Sequence, residues 1–219
     1  MKALFPFLWI GGFICIALVF AYLGHLWEQK RTKAMAQLAS DLAFDFFPTG
    51  DPVYFDSMSA LHLFSQGKYK TWTNLMRGEA GGLAVSIFDY RFTTGSGKSK
   101  HTTKQTVICF QFDSPSLPLF SLRPASFWHK VGGWLGMKDI NFDSHAKFSS
   151  AYLLQGPNEA AIRDVFNTKV LDFFEQNTSL SVEAVGDRLF FYTPGVRVDP
   201  KKIHDFMARG FEVLKQFRA

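Results

Sequence analysis

The 219-residue chain has only two cysteines, Cys15 in an apolar N-terminal stretch and Cys109 in the strand-like run Val107-Ile108-Cys109-Phe110. Two cysteines so placed exclude a disulfide framework, and a lone apolar cysteine behaves as a small hydrophobe whose thiol pKa rises with burial. Strong charge is also missing. The formal net charge is +5, but Lys2, Lys30, Arg31 and Lys33 against Glu28 account for most of it. Residues 34–219 keep 20 basic and 18 acidic groups. That near balance argues against a nucleic-acid-binding face, which would need a clustered basic patch. There is no internal repeat and no low-complexity tract. No Ser-His-Asp or Cys-His arrangement follows from the spacing of the scattered histidines.

A complete phosphate-binding loop is likewise lacking. Thr94-Gly95-Ser96-Gly97-Lys98-Ser99 matches the end of one, but Phe92 stands where the first glycine is required. Lys100-His101-Thr102-Thr103-Lys104 then leads into a strand-like run, where the motif demands a helix. The segment reads as a hairpin tip. Its Lys98, Lys100, His101 and Lys104 form a weak candidate site for phosphate or anionic lipid headgroups, against the plainer reading of a solvated turn.

Apolar residues, by contrast, are abundant: 47% of the chain, with 25 Phe and 5 Trp. Residues 4–26 carry no formal charge, and as a helix they would span about 34 Å, enough for a hydrocarbon core of about 30 Å. Trp9, Tyr22 and Trp27 sit near the ends of this stretch, as interfacial aromatics do. A cleaved signal peptide is the competing reading, with Val19-Phe20-Ala21 as its cleavage region. Apolar character continues past Ala21 through Tyr22, Leu23 and Leu26, and Gly12-Phe13-Ile14 before Cys15 is no lipobox, so an anchor is favoured. Lys30, Arg31 and Lys33 after the span outweigh Lys2 before it. That bias predicts a single-pass protein of the cell inner membrane with its C-terminal domain cytoplasmic.

The expected organisation is an anchor with a juxtamembrane basic segment over residues 1–33 and a soluble α+β domain of antiparallel sheet and packed helices over 34–219. Met35, Leu38, Ala39, Leu42 and Phe46 recur at helical spacing, extending the membrane helix as a stalk that Pro48-Thr49-Gly50-Asp51-Pro52 ends. Residues 70–77, 83–93, 106–112 and 119–122 read as strands. In the second, Leu83, Val85 and Ile87 alternate with polar neighbours, but Phe88, Tyr90 and Phe92 continue on the other parity, which implies a bulge or burial on both faces. Residues 148–154 read as a strand, 158–175 as a helix with a break at Asn167-Thr168, and 179–192 as a hairpin turning at Gly186-Asp187. A final helix is capped by Asp199, with Pro200 first and Ile203, Phe206, Met207, Phe211, Leu214 and Phe217 as its apolar stripe.

Two further candidates carry weaker signals. Asp139, Asp143 and His145 offer acid-base or metal chemistry, although their spacing matches no closed ligand set and a solvated loop is the simpler reading. Residues 127–138 place Trp128 and Trp134 on one helical side, a candidate membrane-interface segment weakened by three glycines.

The run Phe88-Asp89-Tyr90-Arg91-Phe92-Thr93-Thr94-Gly95-Ser96-Gly97-Lys98, then residues 102–106, Leu122-Arg123-Pro124 and Phe142-Asp143-Ser144-His145, resembles an uncharacterised bacterial family of membrane-anchored proteins. The resemblance implies an N-terminal span with a soluble domain and no assigned activity. The expectation is a non-enzymatic binding or accessory subunit of a bacterial inner-membrane assembly. It would be held in the membrane by its N-terminal helix, bind a membrane-protein partner, and use no cofactor and no nucleic acid. The alternative is a membrane-tethered enzyme, metal-dependent or not, using Asp139, Asp143 and His145.

Overall fold

The structure is a computed structural model that describes residues 5–51, 54–55, 58–113, 117–126 and 137–218, with no side-chain description for residues 5–11, 13 and 14. It is an α+β fold built on one eight-stranded sheet in the order β1-β2-β3-β4-β8-β7-β5-β6. The strands are β1 (Asp45–Phe47), β2 (Lys68–Ala80), β3 (Leu83–Thr94), β4 (His101–Gln111), β5 (Leu117–Pro124), β6 (Tyr152–Gln155), β7 (Ser181–Gly186) and β8 (Arg188–Tyr192). Every pairing is antiparallel. The helices are α1 (Phe5–Asp41), α2 (His62–Ser65), α3 (Ala146–Ala151), α4 (Glu159–Val165), α5 (Thr168–Glu175) and α6 (Ile203–Phe217).

Both faces of the sheet are buried, which settles the reading of β3. Its ladder with β4 runs without interruption from Ala84↔Gln111 to Thr94↔His101. The two parities therefore face opposite ways. Leu83, Val85 and Ile87 join the larger core under α1 and α3–α6, whereas Phe88, Tyr90 and Phe92 join a second, aromatic core with Phe55, Leu63 and Phe64. The bulges are in β2, between Lys68 and Thr71 and between Thr73 and Met76. Asn74 lies within the second with φ +53°.

Helix α1 is 37 residues long, about 55 Å at 1.5 Å per residue. Its C-terminal part is no free stalk, because Met35, Leu38 and Ala39 are buried on the sheet. It ends at Asp41, and Ala43 at φ +56° turns the chain so that Phe46 enters β1 and not a continuing helix. Higher up, Ile16, Leu18, Val19, Phe20, Tyr22, Leu23, Leu26 and Trp27 are all exposed. The described side chains take in only part of the apolar stretch 4–26, and among the described residues no helix is long and apolar enough to cross a membrane.

In the last third, the predicted strand over 148–154 is mostly helix: α3 ends at Ala151 and only Tyr152 onward pairs with β5. Phe148 and Tyr152, four apart, stack at 5.5 Å between ring centroids, a helical spacing. The break in 158–175 is present, with Asn158 and Asn167 each accepting from a backbone N–H as N-caps of α4 and α5. Asp199 accepts from Lys201 N ahead of α6. The buried face of α6 also includes Gly210 and Val213, outside the predicted stripe. Gly210 lets the helix approach the Phe110 ring, which an added Cβ would meet at 2.9 Å.

Candidate functional site

Where α1 leaves the sheet, charged and polar groups from four other parts of the chain converge on Asp89. β3 aims this residue at α1 because it shares the parity of Val85 and Ile87. Its carboxylate is 5% exposed. Arg31 on α1 donates to it twice, Nε to Oδ2 and Nη2 to Oδ1, each at 2.7 Å. Arg31 Nη1 also donates to the Val198 carbonyl at 2.7 Å. Asn74 Nδ2 at 2.9 Å, Thr106 Oγ1 at 3.0 Å and Arg197 Nε at 3.1 Å complete the donors around Asp89. Burial pushes the Asp89 carboxyl up, but Arg31, Arg197 and Asn74 outweigh it and hold the group below the usual carboxylate range.

Glu28, one turn above Arg31, extends the network outward. Arg197 donates to both of its oxygens, at 2.8 and 2.6 Å, and Lys104 Nζ to Oε1 at 2.9 Å. Those donors, Arg197 first, lower its pKa to about 2 against partial desolvation. Next to this cluster is a cleft of about 420 Å³ whose walls include Gly24, Thr71, Thr73, Arg91 and Lys104. Among its walls Arg91, Lys104 and Arg197 outnumber Glu28 and Asp89, so the lining carries a net positive charge. These ion pairs fix α1 and leave Arg91 as the cation of the lining outside them among the described residues.

A second polar group lies on the other face. Glu183 is fully buried, accepting from Leu63 N at 3.0 Å and Tyr192 Oη at 2.8 Å, and burial pushes its carboxyl up. Arg123 contacts His62 Nε2 at 2.5 Å and donates to Gln155 Oε1 at 2.9 Å. His62 is drawn down to about 3 by burial and the Arg123 charge, so it is neutral.

The sequence candidates fare unevenly. Lys98, Lys100 and His101 are exposed at the β3–β4 tip, where a 3₁₀ turn (Gly97–Ser99) feeds directly into β4. Lys100 Nζ sits 5.1 Å from the Tyr69 ring centroid. Lys104 is separate from them, tied to Glu28. Asp139, Asp143 and His145 are committed apart: Asp139 accepts from Leu154 N at 3.0 Å, His145 Nε2 lies 3.4 Å from Asp172, and Asp143 is exposed. No set of three such side chains able to hold a metal occurs among the described residues. Trp128 and Trp134 lie outside the described residues. Cys109 is buried with its thiol pushed up to about 12.

Sequence reasoning missed Asp89, Arg197, Arg123 and Glu183. The available signals were a lone acid between Phe88 and Tyr90, and another, Glu183, inside the apolar β7.

No protein-family model matches the chain, and no curated protein matches its sequence. Among solved structures, the mycobacterial trehalose monomycolate transport factor A, TtfA, is similar in fold, with a TM-score of 0.60 over 85% of this chain and 92% of that one, at 13% identity.

Proposed function

We propose that this chain is a membrane-tethered, non-enzymatic accessory subunit of a bacterial inner-membrane assembly that moves lipid or a similar cargo. The observation that carries the reading is the contrast along α1. Its lower turns are buried on the sheet and fastened through Arg31 and Asp89, while residues 16–27 show large apolar side chains on the outside. An exposed apolar run of that kind needs a lipid or protein environment. The uncharged stretch 4–26 supports a single span, and the Lys/Arg bias after it supports a cytoplasmic domain. The fold shared with a transport factor supports an accessory role in transport.

The basic β3–β4 tip belongs to the same reading. Lys104 meets Glu28 just below Leu26, so the hairpin stands beside the point where the apolar run begins. Lys98, Lys100 and His101 would then face anionic headgroups.

The test is to express the full chain, wash the membranes at alkaline pH, and place a photo-crosslinking residue at Val19 or Phe20. Retention in the membrane and one discrete crosslinked membrane protein are expected. Release by the wash would overturn the tether, and crosslinking to lipid alone would overturn the subunit role. Reporter fusions after Ala219 should show a silent periplasmic phosphatase and a bright cytoplasmic fluorophore.

A further inference from the structure

The polar group around Arg123 differs from the Asp89 network in one respect: its cation touches no anion. Arg123 is 7% exposed, and its Nη atoms meet neutral partners, the His62 imidazole and the Gln155 carbonyl. Gln155 is oriented by its own Nε2 donating to the Met137 carbonyl at 2.7 Å. Glu183 acts on Arg123 through space but forms no ion pair with it among the described residues, its oxygens being taken by Leu63 N and Tyr192 Oη. Arg123 Nε has no hydrogen-bond partner there. A buried guanidinium without a contact anion, and with an idle N–H, carries a desolvation cost that these neutral partners repay only in part.

Gln105, 2% exposed, supplies a second idle donor close by. Its Oε1 accepts from Gly195 N at 3.1 Å, which fixes the amide and leaves Nε2 as the end without a partner. Both residues line one small cavity of about 40 Å³, together with Leu63, Phe92, Tyr192 and Pro194.

We propose that this cavity is a binding site for a small carboxylate, whose two oxygens accept from Arg123 Nε and Gln105 Nε2 while a short carbon stem lies against Leu63, Phe92 and Pro194. Two idle N–H groups suit two carboxylate oxygens, and hydrogen bonds from a guanidinium to a carboxylate are among the stronger ones available. A cavity needs about 10–15 Å³ by this measure to hold one water, so the space admits a carboxylate with a carbon or two and excludes a bulky head. A phosphate dianion would bury more unpaired oxygen and a second negative charge against the single cation Arg123. The site is on the opposite face from the α1 cleft and does not depend on the tethering role.

The test is titration calorimetry on the full chain in neutral detergent, using formate, acetate and propionate, with inorganic phosphate as a separate arm and chloride at equal ionic strength as the baseline. Saturable one-to-one binding of at least one monocarboxylate is expected. Gln105→Glu keeps an oxygen for Gly195 N but replaces the donor with a repelling charge, and should weaken that binding by about tenfold or more. Gln105→Met, which removes the donor without adding charge, should weaken it less. Heats equal to chloride for all three acids would overturn the proposal. So would tighter binding of phosphate than of any carboxylate, or undiminished binding in a folded Gln105→Glu protein.

Discussion

Arg31 and Asp89, 58 residues apart in sequence, meet as a two-point fork with both bonds at 2.7 Å. The fork joins the helix carrying the exposed apolar run to the third strand of the sheet, so that α1 cannot swing as a flexible tether would. Arg197 reaches both Asp89 and Glu28 and turns the fork into a clamp across two turns of α1.

Arg31→Met should therefore destabilise the protein strongly. Removing one partner of a buried pair costs about 3–5 kcal/mol, and the lower end is expected because Arg197 still faces Asp89. Denaturant unfolding in detergent measures it. In a double-mutant cycle with Asp89→Asn, the two losses should be clearly less than additive.

Acid should open the same clamp. Asp89 and Glu28 have folded pKa values below their unfolded ones, so their contribution is complete above the ordinary carboxyl range and is lost as pH falls through the folded values, about 2 for Glu28. Glu183 is raised by burial and acts in the opposite sense, adding stability as pH falls through its folded value. The melting temperature should therefore rise as pH falls through the raised Glu183 value and drop again below the ordinary carboxyl range. Asp89→Asn should flatten the fall on the acid side, and Glu183→Gln should remove the step at the raised Glu183 value.

Gly78 of β2 lies under the buried Phe44 ring, and a Cβ there would be 2.2 Å from Phe44 Cδ1. Gly78→Ala should lower stability by about 1–3 kcal/mol, the usual range for overpacking. Phe44→Leu alone should also destabilise, but the double variant should recover part of the loss. Thermal unfolding of the three proteins decides it.

The hairpin lysines should differ in reactivity. With the full chain in lipid discs, a water-soluble amine reagent should label Lys98 and Lys100 more slowly when the lipids are anionic than when they are neutral. Lys104 should be slow in both, because Glu28 holds it. Equal rates for Lys98 in the two lipids would place the tip away from the bilayer. A version trimmed to residue 34 would be a poor substrate for such work, since it lacks both Glu28 and Arg31.

Much of the sheet was legible because a strand's pattern is local. The change of parity in β3 pointed to a bulge or to burial on both faces, of which the second is found, and Gly186-Asp187 marked the β7–β8 turn. The exception at 148–154 is instructive: Phe148, Tyr152 and Leu154 suit a strand, yet the turn Asp143–His145 and the flanking Ala146 and Ala151 start a helix first. The Asp89 cluster was not legible, because its members at 28, 31, 74, 89, 106 and 197 share no spacing. Only the assembled sheet and the docked helix bring them together. The Arg123 cavity was hidden for the same reason, with Gln105, Arg123 and Tyr192 on three strands.

The seam between β4 and β8 pairs residues 107–111 with 188–192 and is, among the described residues, the sole strand pairing between the β1–β4 meander and the β5–β8 half. As the chain leaves the ribosome, β4 can pair with β3 at once, but its outer edge stays bare until residue 192 has been made. During that interval the nascent chain exposes an unpaired strand with Ile108 and Phe110 on one side and Val107 and Cys109 on the other, the kind of edge that recruits other chains. Production of this protein should accordingly depend on holdase chaperones and on the pace of translation through its second half.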